Sequence, residues 1–187
     1  HWNLAVRAKA RKAARELGVS LGQQDALLIP DVIAPAALKA EQPTKAVLHT
    51  SQGKIVLRLL HKEAPTTTLR FVELAKAGYY DGVYFHRVIP GFVAQTGDPT
   101  GTGYGGPHFT QRCENNRLSY TRGMVGMALA GRDTGGSQFF INTTPQPHLD
   151  RHYPIFAEVL VGMDVVDLLT PSDVIQKVSV SRETQSE

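Results

Sequence analysis

From residue 45 onward the chain is broken into eight short runs of strand-forming residues, with glycine, proline and asparagine clusters between them. The runs are Ala46–Thr50, Lys54–His61, Tyr84–Val88, Phe92–Thr96, Met124–Leu129, Phe139–Thr143, Ile155–Leu160 and Val174–Ser181. The first two flank Ser51-Gln52-Gly53, so they are predicted to form a hairpin. Only two stretches carry a helical period. One opens at Pro65, stops at Gly78 and places Thr68, Phe71, Val72 and Ala75 on one face. The other spans Met163–Leu169. Two helices cannot cover so many strands, so the sheet must bury its apolar face largely against itself. The pattern therefore predicts a mostly-β fold, closed or nearly closed into a barrel, and excludes a doubly wound parallel sheet.

The first 44 residues read differently. Trp2, Val6, Ala10, Ala13 and Leu17 recur at helical spacing and Gly18 is a natural stop, which predicts an amphipathic helix over residues 1–18. Residues 19–44 contain Pro30, Pro35 and Pro43 and no sustained period, so they read as a linker. The apolar Leu27, Leu28, Ile29, Val32 and Ile33 suggest that part of it lies on a surface. The expected division is thus 1–18 helix, 19–44 linker, 45–181 main domain and 182–187 tail. Charge follows the same division. The chain nets +3, but residues 1–16 hold five basic groups and one acid. The remainder, with 15 basic and 16 acidic groups, nets −1 and gives no reason to expect nucleic-acid binding. No apolar run approaches the length of a membrane span. Residue 1 is His rather than Met, and no signal-like start is present, so a processed form or a piece of a longer chain is expected.

Some apparent motifs fail on context. Gly101-x-Gly103-x-x-Gly106 matches the letters of a dinucleotide fingerprint. That fingerprint needs a helix opening within it, whereas here Pro107 follows with no helical period. The glycines instead predict a tight surface loop. His148 and His152 have helical metal-pair spacing, but Pro145, Pro147 and Pro154 surround them and leave no helix to present them. The single cysteine, Cys113, excludes a disulfide framework and has no adjacent base. Ser137 lacks the setting of an acyl-transfer nucleophile.

Two stretches carry the chemistry: Phe85-His86-Arg87-Val88-Ile89-Pro90-Gly91-Phe92-Val93-Ala94-Gln95-Thr96-Gly97-Asp98, and Met127-Ala128-Leu129-Ala130-Gly131-Arg132-Asp133-Thr134-Gly135-Gly136-Ser137-Gln138-Phe139-Phe140-Ile141. With Tyr79-Tyr80-Asp81-Gly82 and Leu149-Asp150-x-x-Tyr153-x-x-Phe156, they resemble the signature segments of the cyclophilin family of peptidyl-prolyl cis–trans isomerases, in its bacterial form, from about Lys45 to Val180. The N-terminal pattern W-x-x-x-V-R-x-x-A-x-x-x-A-x-x-L-G resembles, over one helix only, the end of a HEAT-type repeat. The cyclophilin resemblance implies a closed eight-stranded antiparallel barrel capped by two helices, with a peptide groove on its outer wall. It also implies a role in protein folding, with proline-containing peptides or unfolded chains as partners and no cofactor or metal.

The chemistry agrees with that reading. An X–Pro bond resists rotation because the nitrogen lone pair is delocalised into the carbonyl. Twisting frees that lone pair to accept a hydrogen bond which the planar amide cannot take. Nothing is cleaved, so no nucleophile or metal is required. Arg87, always charged and with N–H groups in a rigid fork, is the candidate donor. The resemblance assigns Phe92, Val93, Phe140 and Leu149 to an apolar proline socket, and Gln95 to the substrate carbonyl and the support of Arg87. It places His86, Ala128, Leu129, Ala130, Gln138, His148 and Tyr153 along the groove. Leu129 stands where many members have Asn, at a contact made mainly through backbone. His148 stands where the drug-binding rim carries Trp, which argues against tight binding of the inhibitor cyclosporin. A pure binding module, holding a proline-containing segment of a partner, would use the same socket. The linker bonds Ile29–Pro30, Ala34–Pro35 and Gln42–Pro43 could also serve as tethered occupants.

Overall fold

The structure, a computed structural model, describes residues 43–182. The expected helix over 1–18, the linker over 19–44 and the tail over 182–187 lie outside the described residues, apart from Pro43, Thr44 and Arg182. Nine strands form one antiparallel sheet: β1 Lys45–Thr50, β2 Gly53–Leu59, β3 Val83–Tyr84, β4 Arg87–Ile89, β5 Val93–Thr96, β6 Met124–Met127, β7 Phe139–Asn142, β8 Ile155–Val161 and β9 Val174–Ser181. Two helices join them, α1 over Pro65–Lys76 and α2 over Met163–Leu168. Among the described residues no helix is long and apolar enough to cross a membrane.

The strand order is β3-β9-β1-β2-β8-β6-β7-β5-β4. The two edge strands are separated in sequence only by Phe85 and His86, a gap the chain can span by at most about 11 Å. The sheet must therefore curl until its edges meet. This corrects the expected closed eight-stranded barrel: the run Tyr84–Val88, taken as one strand, is two, and no ladder joins β3 to β4 among the described residues. The cause lies at Phe85. Its side chain is fully buried and its N–H donates to the Asp173 carbonyl at 2.9 Å, which holds this end against β9. Two residues later Arg87 pairs with Gln95 of β5. A hydrogen bond across the seam, from Thr96 Oγ1 of β5 to the Tyr84 carbonyl at 2.9 Å, ties β3 to the strand beside the opposite edge.

Side chains alternate across the sheet, so each strand serves two faces. The inner face packs Leu48, Ile55, Leu57, Ala94, Val125, Phe139, Ile141 and Phe156 against α1. Phe71 of α1 meets Tyr80, Phe139 and Phe156 with ring centres 5.3–5.6 Å apart. The outer face carries a second cluster of Val93, Tyr120, Phe140, Leu149 and Ile155. β7 is buried at all four positions for this reason.

α1 begins with Pro65 at its first position and no capping side chain of its own. Glu114, 47 residues beyond Thr67, supplies the cap. Its carboxylate accepts the N–H groups of Thr66 and Thr67 at 2.9 and 2.7 Å, and the Thr67 hydroxyl at 2.8 Å. An anion placed on orphan N–H donors also meets the positive end of the helix dipole. Replacing Glu114 by Ala is expected to lower unfolding stability by about 1–2 kcal/mol. Urea denaturation checks this; an unchanged midpoint would show that water caps the helix equally well.

Candidate active site

The ladders place the first-block and second-block residues in one row. Arg87 faces Gln95, Gln95 faces Phe140, and Phe140 faces Gly126 across β4, β5, β7 and β6. Directly opposed residues share a face, so the Arg87, Gln95 and Phe140 side chains all point outward from the barrel. Val93, two residues before Gln95, joins them.

Together they bound a hollow of about 170 Å³. Val93, Phe140 and Leu149 form its apolar base, each less than a tenth exposed. Phe92, Ala128, Leu129 and Tyr153 complete the sides, and Arg87 and Gln95 supply the polar lip. Tyr153 stands edge-on to Phe140, and Tyr120 stacks beneath Phe140 at 5.5 Å. Leu149 arrives from a short 3-10 turn, Pro147–Leu149, and not from a sheet strand.

The guanidinium is oriented from two sides. Arg87 Nη1 donates to Gln95 Oε1 at 3.2 Å, and its central carbon lies 5.3 Å from the centre of the Phe92 ring. The ring face attracts the cation. Phe92 is in turn stacked on His148, at 5.7 Å and 19°. Arg87 itself borders the hollow and is exposed to solvent. Next to an apolar base, this is a site for an uncharged ring with an acceptor atom at its edge.

The remaining expected residues are spread more widely. Gln138 adjoins the hollow through Gln95, whose Nε2 donates to Gln138 Oε1 at 3.0 Å. His148 belongs to a neighbouring depression with Cys113, Arg132 and His152, which shares Leu129, Leu149 and Tyr153 with the hollow. Ala130 is exposed on the strap after β6, its N–H donating to Thr134 Oγ1. His86 does not line the hollow. Both its ring nitrogens are buried, and the ring lies by Gly103. Burial lowers its pKa, and the adjacent Arg87 acts in the same direction; Asp98 and Gln138 oppose them without prevailing.

The 101–106 loop leads into no helix, so the dinucleotide reading stays rejected. His148 and His152 lie in the 3-10 turn and the turn after it, with no α-helix to pair them. Sequence reasoning missed Asp98, which is only 1% exposed. An acid before a Gly- and Thr-rich loop was the available signal, since such loops offer N–H and O–H groups to a carboxylate.

Comparison with known proteins places the domain that carries these residues in one family. Residues 45–185 match the model of the family described as cyclophilin type peptidyl-prolyl cis-trans isomerase/CLD. A peptidyl-prolyl cis-trans isomerase of Helicobacter pylori is 44% identical over 158 residues, which is 81% of this chain and 97% of that one. Peptidyl-prolyl cis-trans isomerase B of Bacillus subtilis is 47% identical over 130 residues, covering 68% and 91%. The crystal structure of a cyclophilin-type isomerase from Cryptosporidium parvum in the presence of the dipeptide Ala-Pro superposes with a TM-score of 0.69 at 30% identity, covering 74% of this chain and 99% of that one. Curled sheet, outward row and signature blocks thus lead to one family, and this chain belongs to the cyclophilin-type peptidyl-prolyl cis–trans isomerases.

Proposed function

We propose that the outer hollow is where this isomerase turns X–Pro bonds, with the proline ring seated on Phe92, Val93, Phe140 and Leu149 and Arg87 donating to the proline nitrogen as the amide twists. The observation that carries this is the position of the Arg87 guanidinium, held by Gln95 and Phe92 at the edge of an apolar hollow sized for a small ring.

Magnitudes decide how the work is divided. Uncatalysed X–Pro exchange takes tens to hundreds of seconds. Reaching milliseconds requires roughly 10⁴–10⁵-fold acceleration, or about 5–7 kcal/mol. A charge-assisted hydrogen bond contributes only about 1.5–3 kcal/mol. Arg87 therefore supplies part of the effect. The remainder comes from gripping the ring while the acyl half rotates, so that the twisted amide fits better than either planar form. The Gln95 amide steadies the guanidinium, and on this reading it also meets the substrate carbonyl. Ala128, Leu129, Ala130 and Tyr153 border the path of the substrate backbone, with His86 and Gln138 behind the lip. His148 packs flat on Phe92 without the indole N–H of the family's usual Trp, which supports weak cyclosporin binding. The boundaries proposed for the catalytic unit are residues 45–181.

Exchange spectroscopy on an Ala–Pro peptide tests the reading. Catalytic amounts of protein are expected to broaden the cis and trans signals, with kcat/KM nearly flat between about pH 5.5 and 8.5, since arginine does not titrate there. Absence of exchange broadening would overturn the reading. A bell-shaped profile would move the chemistry to a histidine.

A further inference from the structure

The glycine-rich loop rejected as a nucleotide fingerprint holds a buried carboxylate. Asp98 Oδ1 accepts the N–H and the hydroxyl of Thr100, both at 2.8 Å. Its Oδ2 accepts the Gly103 N–H at 2.6 Å, and the Gly105 N–H also points to the carboxylate. The wrap is so close that a Cβ on Gly105 would lie 1.8 Å from Asp98 Oδ1. Burial pushes the Asp98 pKa up, but these donors outweigh it and hold it below the ordinary value.

The same two glycines offer their carbonyls to the other side of the loop. Gln138 Nε2 donates to the Gly103 and Gly105 carbonyls at 2.9 and 2.8 Å. Gln138 Oε1 accepts from Gln95 Nε2 at 3.0 Å, and Gln95 Oε1 accepts from Arg87 at 3.2 Å. Each amide has a donor end and an acceptor end. Turning Gln138 over would set its oxygen against two carbonyls, and turning Gln95 over would set its NH₂ against a guanidinium. Only one sense of the chain satisfies every link; the Gly103 and Gly105 carbonyls set that sense at one end, and Asp98 holds the loop that presents them.

We propose that Asp98 and Gln138 are positioning residues of the isomerase: through the 100–105 loop and the Gln95 amide they fix the direction in which Arg87 points. This rests on the reading of Arg87 as the donor to the twisted amide. Neither residue lines the hollow, and Gln138, expected along the groove, adjoins it only through Gln95, so the effect falls on turnover more than on binding.

The test uses the whole chain with Asp98→Asn and Gln138→Met. The first turns one acceptor toward the loop's N–H groups into a donor; the second keeps length and removes both amide ends. Each is expected to lower kcat by about tenfold through misplacement of Arg87, with KM changed by less than about threefold. The double variant is expected to be no worse than the poorer single one, because the links act in series. The ¹⁵N order parameter of the Arg87 Nε–Hε group is expected to fall in both, which a loss of loop stability alone would not produce. Wild-type kcat in folded Gln138→Met, additive losses in the double variant, or an unchanged Arg87 order parameter would each overturn the relay. Gln138 is only half-buried, so its variant carries the test even where Asp98→Asn fails to fold. Full activity in Arg87→Ala would instead overturn the assignment of Arg87; loss there with none in Gln138→Met would remove the relay alone.

Discussion

Arg87→Ala is expected to lower kcat/KM on an Ala–Pro peptide by at least about 10²-fold, with the fold intact. The variant loses a charge-assisted hydrogen bond made only in the twisted state, about 1.5–3 kcal/mol, together with the grip on a substrate no longer held at its edge. The side chain is exposed, and its contacts with the Phe92 ring and Gln95 lie on the surface, so stability should be nearly unaffected. Arg87→Lys keeps the charge but loses the fork that reaches Gln95 and the hollow together, and about a tenfold loss is expected. Exchange rates on the peptide, with far-ultraviolet circular dichroism as the check on folding, measure both. Turnover of Arg87→Ala within threefold of wild type would mean that the apolar hollow alone twists the bond.

Gly97→Ala should produce the largest loss of stability. Gly97 has φ +90°, and a Cβ there would lie 2.2 Å from the Ser137 carbonyl oxygen and 2.9 Å from the Gln138 Cα. These are backbone atoms of the segment leading into β7, so no rotamer change relieves the overlap. Ser137 Oγ donates to the Gly97 carbonyl at 2.6 Å, which pins the two segments at their closest approach. This pinch keeps Gln95 within reach of Gln138. The expected cost is about 3 kcal/mol or more, enough to leave a marginal domain partly unfolded. Gly91→Ala is the matched control: φ is +69°, nothing lies within 4 Å of the added carbon, and only the left-handed backbone penalty of about 1–2 kcal/mol remains. Equal losses in the two variants, measured by urea denaturation, would show that the approach of Gly97 to Ser137 is unimportant.

The strands were legible because their residues alternate or run apolar between strong turn signals, and both helices because their cores repeat at helical spacing. α1 stops at Lys76 and α2 at Leu168, within two residues of the expected ends. The run Tyr84–Val88 was misread as continuous because nothing local marks a break there. Phe85 bends the chain through its burial and its bond to Asp173, a residue 88 positions away. Phe139-Phe140-Ile141-Asn142 shows the converse problem. With every position buried, period two is invisible, and the residues by themselves do not tell which ring faces the core and which the groove. Asp98 was missed because an acid in a loop ordinarily faces water. Here main-chain N–H groups of its own loop replace that water, a result of backbone geometry more than of residue type. Glu114 was missed as a cap because it is remote from α1 in sequence.

Sequence alone determined which segments extend, where they break and which side chains were available, since those depend on backbone sterics and neighbours a few residues apart. The two signature blocks also carried the family. Tertiary structure decided that Arg87, Phe140 and Leu149, spread over 63 positions, border one hollow, that His86 turns aside from it, and that four polar groups align behind the guanidinium. Those adjacencies are set by ladder register and by the curl that brings the edge strands β3 and β4 near each other. Register and curl follow from burying two apolar faces of one sheet at once, a condition that the whole chain must satisfy together.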